Sequence, residues 1–261
     1  SSAAYCSGRS AWAAWYDARL FANGDTVYVT VPVHTYESNK RGGELIAAAI
    51  DVSNPTSPVI VGKTQMRFVE RDLSSGYWGG YYGGFCDGYG FWSYYGGANG
   101  SLVGSGQAVV QYGAKLAYIE VDHEPVQIGT RDGYPVWSTK IHRRIHVADF
   151  GSPAQPTTFA IPLPESLGSS PLHLYKGTLL TSRWVPSKNP GKVRFFVDRV
   201  DLNGPTPTLL SSVNTPGSLL LADESSSRFV TTDYHAQRAP APPGFGKYTA
   251  CPSELGDGAW Y

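Results

Sequence analysis

Asp122-His123-Glu124 sets two carboxylates and an imidazole side by side, residue types that can hold a metal ion or move a proton. They follow an apolar run ending at Val121, which places them in a loop. Asp233-Tyr234-His235 has a similar make-up after another apolar run. The sequence has six histidines, and His142 and His146 have the spacing of one helix face. Ile141 to Val147 alternates like a strand, however, with Ile141, Ile145 and Val147 facing one way. At ~3.3 Å per residue the two imidazoles then stand about 13 Å apart, too far to share one ion, and they belong to a solvated or interfacial strand face. No second cluster at ligand spacing supports Asp122, His123 and Glu124, which stay weak metal candidates. They leave room for a structural cation such as calcium, and no cofactor motif is present. The sequence has no Gly-x-Ser-x-Gly elbow, P-loop, dinucleotide fingerprint, EF-hand loop or zincin helix. Gly104-Ser105-Gly106 shares only the glycines of a nucleophile elbow. An enzymatic site would have to draw carboxylates such as Asp122, Glu124 and Asp233 together from distant strand ends.

Cys6, Cys86 and Cys251 lie 80 and 165 residues apart, without the close pairs of a zinc or redox site. An odd number leaves at least one without an internal partner. Three buried thiols, or one disulfide plus a thiol that pairs outside the chain, both fit, the second if the protein is exported.

Residues 76–97 contain 10 aromatic residues and 9 glycines in 22 positions. The rings are Tyr77, Trp78, Tyr81, Tyr82, Phe85, Tyr89, Phe91, Trp92, Tyr94 and Tyr95. Neither a helical nor a strand period survives there, so residues 70–104 read as an inserted loop. Left in water, ten rings would make an apolar patch larger than a monomer tolerates. The segment must fold over its own domain, meet a protein partner, or stack against a glycan. Tyr and Trp enrichment at interfaces makes the ten rings candidate partner-binding residues.

The remaining composition points to an all-β chain. Among 261 residues, 21 Lys+Arg balance 21 Asp+Glu, giving no pull toward nucleic acid or an anionic membrane. Gly (30) and Pro (19) are frequent and charged residues make up 16%, which favours turns over long helices. The longest strongly apolar run, Leu45 to Ile50, is far short of a transmembrane helix. The first residues, Ser1-Ser2-Ala3, and a single methionine, Met66, suggest that a signal peptide or a longer region precedes this sequence.

A repeat organises the chain. Ile50-Asp51-Val52-Ser53-Asn54-Pro55, Ala148-Asp149-Phe150-Gly151-Ser152-Pro153 and Val200-Asp201-Leu202-Asn203-Gly204-Pro205 each run from an apolar strand through Asp, an apolar residue and a small polar pair into a Pro turn. The aspartates are 98 and 52 residues apart. Asp, Asn, Gly and Pro are turn formers, so these aspartates serve the backbone, not catalysis. A period near 50 residues built of short strands predicts β-propeller blades. The first unit spans about 18–68, with strands at Asp25–Val31, Glu44–Asp51 and Val59–Met66. The second spans about 105–166, with strands at Gln107–Tyr112, Lys115–Val121, Val136–Asp149 and Thr157–Ile161. The third, about 167–216, has strands at Leu172–Tyr175, Gly177–Val185, Val193–Asp201 and Leu209–Val213. A partial fourth covers 217–235, with Ser218–Ala222 and Arg228–Thr232, before a Pro/Gly-rich tail at 236–261.

Leu45 to Val59, with Ile50-Asp51-Val52 and Asn54-Pro55-Thr56-Ser57-Pro58, resembles the repeat of bacterial secreted β-propeller proteins named for the residues LVIVD followed by an Asn-Pro-x-x-Pro turn. The resemblance covers about residues 18–68 and 100–235. It implies a secreted, periplasmic or cell-surface bacterial protein with a binding or scaffolding role, and it carries no catalytic residues.

Without residues 70–104, 226 residues remain, roughly four and a half units. An unclosed propeller exposes strand edges. The expectation is therefore an incomplete ring, finished by another chain or by a segment cleaved from the same precursor; a self-contained five-bladed ring is the alternative. Functionally, the sequence favours a non-catalytic exported scaffold or binding subunit in an extracellular assembly. The alternative is a secreted hydrolase or carbohydrate-active protein with its site at the propeller mouth.

Overall fold

Strands joined by tight turns make up the described part of the chain. The computed structural model describes residues 10–13, 18–37, 40–67, 71–72, 109–131, 134–166, 170–188, 193–233, 238–239 and 259–260. Among them every regular element is a β-strand, and no helix is long and apolar enough to cross a membrane.

The first sheet holds β1 (Ser10–Ala13), β2 (Arg19–Asn23), β3 (Thr26–Glu37), β4 (Lys40–Asp51), β5 (Val59–Arg67) and β6 (Arg71–Asp72). Its body is the antiparallel meander β2-β3-β4-β5, with β1 and β6 paired to the far ends of β3 and β4. The second is the four-stranded meander β7 (Val110–Tyr112), β8 (Lys115–Arg131), β9 (Tyr134–Asp149) and β10 (Thr157–Pro162). The third repeats it with β11 (His173–Tyr175), β12 (Thr178–Pro186), β13 (Val193–Asp201) and β14 (Thr208–Thr215). β15 (Ser218–Asp223) and β16 (Arg228–Thr232) form a fourth, two-stranded sheet, and β17 (Arg238–Ala239) pairs with β18 (Ala259–Trp260).

The aspartates of the repeat are turn formers. The Oδ1 atoms of Asp51, Asp149 and Asp201 accept the N–H of Ser53 (2.8 Å), Gly151 (2.8 Å) and Asn203 (3.0 Å). The residue after each Asp donates its own N–H back to the turn between the sheet's first two strands: Val52 to Asp25 O (2.8 Å), Phe150 to Ala114 O (2.9 Å) and Leu202 to Gly177 O (2.8 Å). That opposite turn needs positive φ, supplied by Gly24 (+58°), Gly113 (+57°) and the pair Lys176 and Gly177 (+48° and +75°). Asn23-Gly24 is the sequence signal for β2, a strand absent from the sequence reading.

Consecutive sheets pack face to face. Tyr28, Leu45, Ala47, Ala49 and Met66 of the first sheet share a core with Leu116, Tyr118, Ala148 and Phe150 of the second. Ala117, Ile119, Val121, Ile145 and Val147, on the second sheet's other face, meet Leu179, Val200 and Leu202 of the third. Leu180 and Val197 of the third then pack on Leu219 of the fourth. Alternation in β8 sends neighbouring residues into two different cores, which is why Leu116 to Ile119 reads as a continuous apolar run. The sheets do not close on themselves: no core cluster of described residues joins the first to the fourth.

Two hairpins are longer than their sequence suggests. β3 continues through Pro32 to Glu37, and β8 continues through Asp122-His123-Glu124 to Arg131. The loop expected at residues 122–124 is therefore strand: Asp122, His123 and Glu124 stand opposite His142, Ile141 and Lys140 in the β8–β9 ladder. Backbone pairing with β9 outweighs the turn preference of three polar residues followed by Pro125.

Candidate functional site

Strand pairing at matching positions defines equivalent residues in the three main sheets. Thr26 faces Asp51, Lys115 faces Asp149 and Thr178 faces Asp201 across the central strand pairs. Counting from there, Val27, Val29, Ile50 and Val52 of the first sheet correspond to Leu116, Tyr118, Ala148 and Phe150 of the second. In the third sheet the set is Leu179, Thr181, Val200 and Leu202. The last two sets are buried under the preceding sheet, with Phe150 and Leu202 each 1% exposed. The first set is only half-buried, and beside it Leu20 and Ile60 are 71% and 66% exposed. They belong to the same face, because Leu20 pairs with Val29 and Ile60 with Ile50. The fourth sheet shows the complementary situation. Leu219, 3% exposed, and Ala222 turn toward the third sheet, and Phe229, the partner of Ala222, lies 4.8 Å from the Tyr175 ring while still 52% exposed; Leu221 and its partner Val230 turn the other way and stand 50% and 44% exposed.

Polar groups are buried between the sheets. Arg143 of β9 reaches Asp198 of β13, both side chains fully buried. Its guanidinium also donates to Pro164 O (3.1 Å) and Ser182 O (3.3 Å), while Asp198 Oδ1 accepts Arg183 Nε (2.9 Å) and Ser212 Oγ (2.6 Å). Burial pushes the Arg143 pKa down, and Asp198 opposes that shift. Two guanidinium groups and a hydroxyl occupy the Asp198 carboxylate, so it acts as a clamp between sheets and has little left to offer as a base. Lys115 adds a second tie between the same sheets, its Nζ donating to Leu202 O (2.7 Å) and Gly204 O (2.5 Å).

On the opposite face of β9, His146 Nε2 lies 2.7 Å from Glu120 Oε2, with side chains 4% and 5% exposed, and Arg144 approaches the same oxygen at 3.5 Å. An imidazole and a carboxylate could pass a proton, but burial on the side facing the first sheet keeps substrate from them. This places His146 in an interface, while His142, on the same strand face, is half-buried. Sequence reasoning missed Glu120, whose signal is a lone carboxylate in the apolar run Tyr118 to Val121. Burial lowers the His173 pKa, favouring the neutral imidazole.

The ten rings of residues 77–95, together with Cys6, Cys86 and Cys251, lie outside the described residues, as do the side chains of Asp122, His123 and Glu124. Asp233 directly follows β16 and His235 lies outside the description. Among the described residues no three His, Cys, Asp or Glu side chains gather as metal ligands. The features with binding capacity among the described residues are the two exposed apolar sheet faces. No family model, curated protein or solved structure matches the chain.

Proposed function

We propose that this chain is an exported bacterial β-propeller that works without catalysis, as a binding or scaffolding subunit of an extracellular or cell-surface assembly. The observation that carries this reading is the open face of the first sheet. Val27, Val29, Ile50 and Val52 occupy positions whose counterparts in the next two sheets lie beneath a neighbouring sheet, with Leu20 and Ile60 projecting beside them. An apolar sheet face of this kind is a surface for another protein element. Four-stranded meanders packed in chain order and carrying one repeated turn favour propeller blades. Export accords with the low charge content and the aromatic segment at residues 76–97, which would add to the binding surface.

A photo-crosslinking residue placed at Ile60 tests the reading in the native source. Crosslinking to another polypeptide, identified by mass spectrometry and absent when the probe sits instead at Asn214, exposed on the third sheet, is the expected result. An uncrosslinked protein that sediments as a single chain would overturn it.

A further inference from the structure

Each contact between sheets in this chain joins two different faces. The first sheet presents Tyr28, Leu45 and Ala49 to a receiving face on the second, which carries Leu116, Tyr118 and Phe150. The second presents Ile119 and Val147 to a receiving face on the third, and the third presents Leu180 to the fourth. The array therefore has a direction, and among the described residues it leaves one receiving face open on the first sheet and one presenting face open on the fourth. Two receiving faces would not reproduce any contact seen within the chain. A receiving face against a presenting face would continue the existing series.

We infer that the open face of the first sheet binds the open face of the fourth sheet in a second copy of this chain, and that the reciprocal contact closes a two-fold ring. This deepens the proposed binding role of those faces and rests on it. The occupant is a second copy because the presenting face that continues the series, around Leu221 and Val230, is on this chain itself. Within one copy the first and fourth sheets share no core among the described residues. Counting the two-stranded fourth sheet, the described residues of two copies contribute eight packed sheets, within the range of about 4–8 blades at which propellers close. A head-to-tail contact that failed to close would propagate into filaments, and two-fold closure ends the series.

Exposed residues on each face provide the test with little risk to folding: Ile60→Glu on the first sheet and Leu221→Glu on the fourth, with Leu20→Glu and Val230→Glu as a second pair. Light scattering after size exclusion should find the wild type as two chains and every single variant as one, with a dissociation constant raised more than about tenfold. Mixing Ile60→Glu with Leu221→Glu should restore a two-chain species, because the mixture keeps one intact pairing of first sheet with fourth. Far-UV circular dichroism and melting of the separate variants should match the wild type. A Leu221→Glu protein that still pairs, or a mixture that stays single, would overturn the inference. So would a single-chain wild type. In that last case, a crosslink from Ile60 to a different polypeptide would leave the binding role standing, and the lack of any crosslink would remove both.

Discussion

Arg143 and Asp198 meet between the second and third sheets with neither side chain reaching solvent. Such a pair stabilises little against an apolar alternative, but removing one partner strands the other in a low-dielectric interior. Arg143→Met should therefore lower stability by about 3–5 kcal/mol in equilibrium urea unfolding. Adding Asp198→Asn to that variant should recover part of the loss, because it removes a buried carboxylate whose Oδ2 has lost its partner and whose Oδ1 keeps only Arg183 and Ser212. A loss below about 1 kcal/mol for Arg143→Met would mean that Arg183 alone satisfies Asp198.

Gly62 of β5 lies against the turn of the second sheet, where a Cβ would overlap the Pro153 carbonyl oxygen. The obstacle is backbone, so it cannot swing aside. Gly62→Ala should cost about 1–3 kcal/mol as the two sheets are pushed apart. Gly113→Ala is the control: its φ is +57° but nothing lies within 4 Å of the added carbon, so only conformational strain of about 1–2 kcal/mol remains. The two differ in kind, and an added Phe150→Ala should relieve none of the Gly113 cost. Equal melting of Gly62→Ala and wild type would show that the first and second sheets are not held at this distance.

The turn carboxylates set the response to acid. Side-chain hydrogen bonds from Ser226 and Ser225, with the Ser225 N–H, lower the Asp223 pKa to about 2 from 3.8. The Ser53 N–H lowers that of Asp51 and the Asn203 N–H that of Asp201. These groups take up protons more readily when unfolded, so their contribution is complete above about pH 4 and is lost as pH falls toward 2. The melting temperature should drop through that window, and Asp223→Asn should flatten the profile. An unchanged profile in that variant would dissociate the turn from acid stability.

The third sheet was legible in the sequence, its strands falling within two residues of their expected ends, because Tyr175-Lys176-Gly177 and Asp201 to Pro207 mark turns clearly. The far halves of the long hairpins were not. Pro32 reads as a strand breaker, yet β2 reaches Thr30 and β1 begins at Val33, so Pro32 falls in the gap between them, where β3 needs no donor on that side. Pro125 sits where β8 pairs with β9 alone. The Arg143–Asp198 clamp could not be read at all, since it joins residues 55 positions apart that meet only after two sheets have packed. The open faces were legible only as a shortage of blades; which residues line them depends on strand register, and a slip of one residue would exchange every buried side chain for an exposed one.

Phe150 and Val52 hold the same place in the repeat, one step past the turn aspartate, but among the described residues only Phe150 has a preceding sheet to pack on. Its ring centroid lies 5.4 Å from that of Tyr28 and the side chain is 1% exposed, whereas Val52 is half-buried. Phe150→Ala should cost about 3–5 kcal/mol of folding stability through the cavity it leaves. Val52→Ala should cost less than about 1 kcal/mol in the single chain, since little of its surface is removed from water there. In a two-chain ring the second substitution should act on association instead, weakening the pair at a given protein concentration while leaving the unfolding midpoint of the separated chain unchanged. Urea unfolding at low concentration and sedimentation at high concentration separate these effects. If Val52→Ala unfolds the single chain as readily as Phe150→Ala does, its face is already covered within one copy and the first sheet is not an open end.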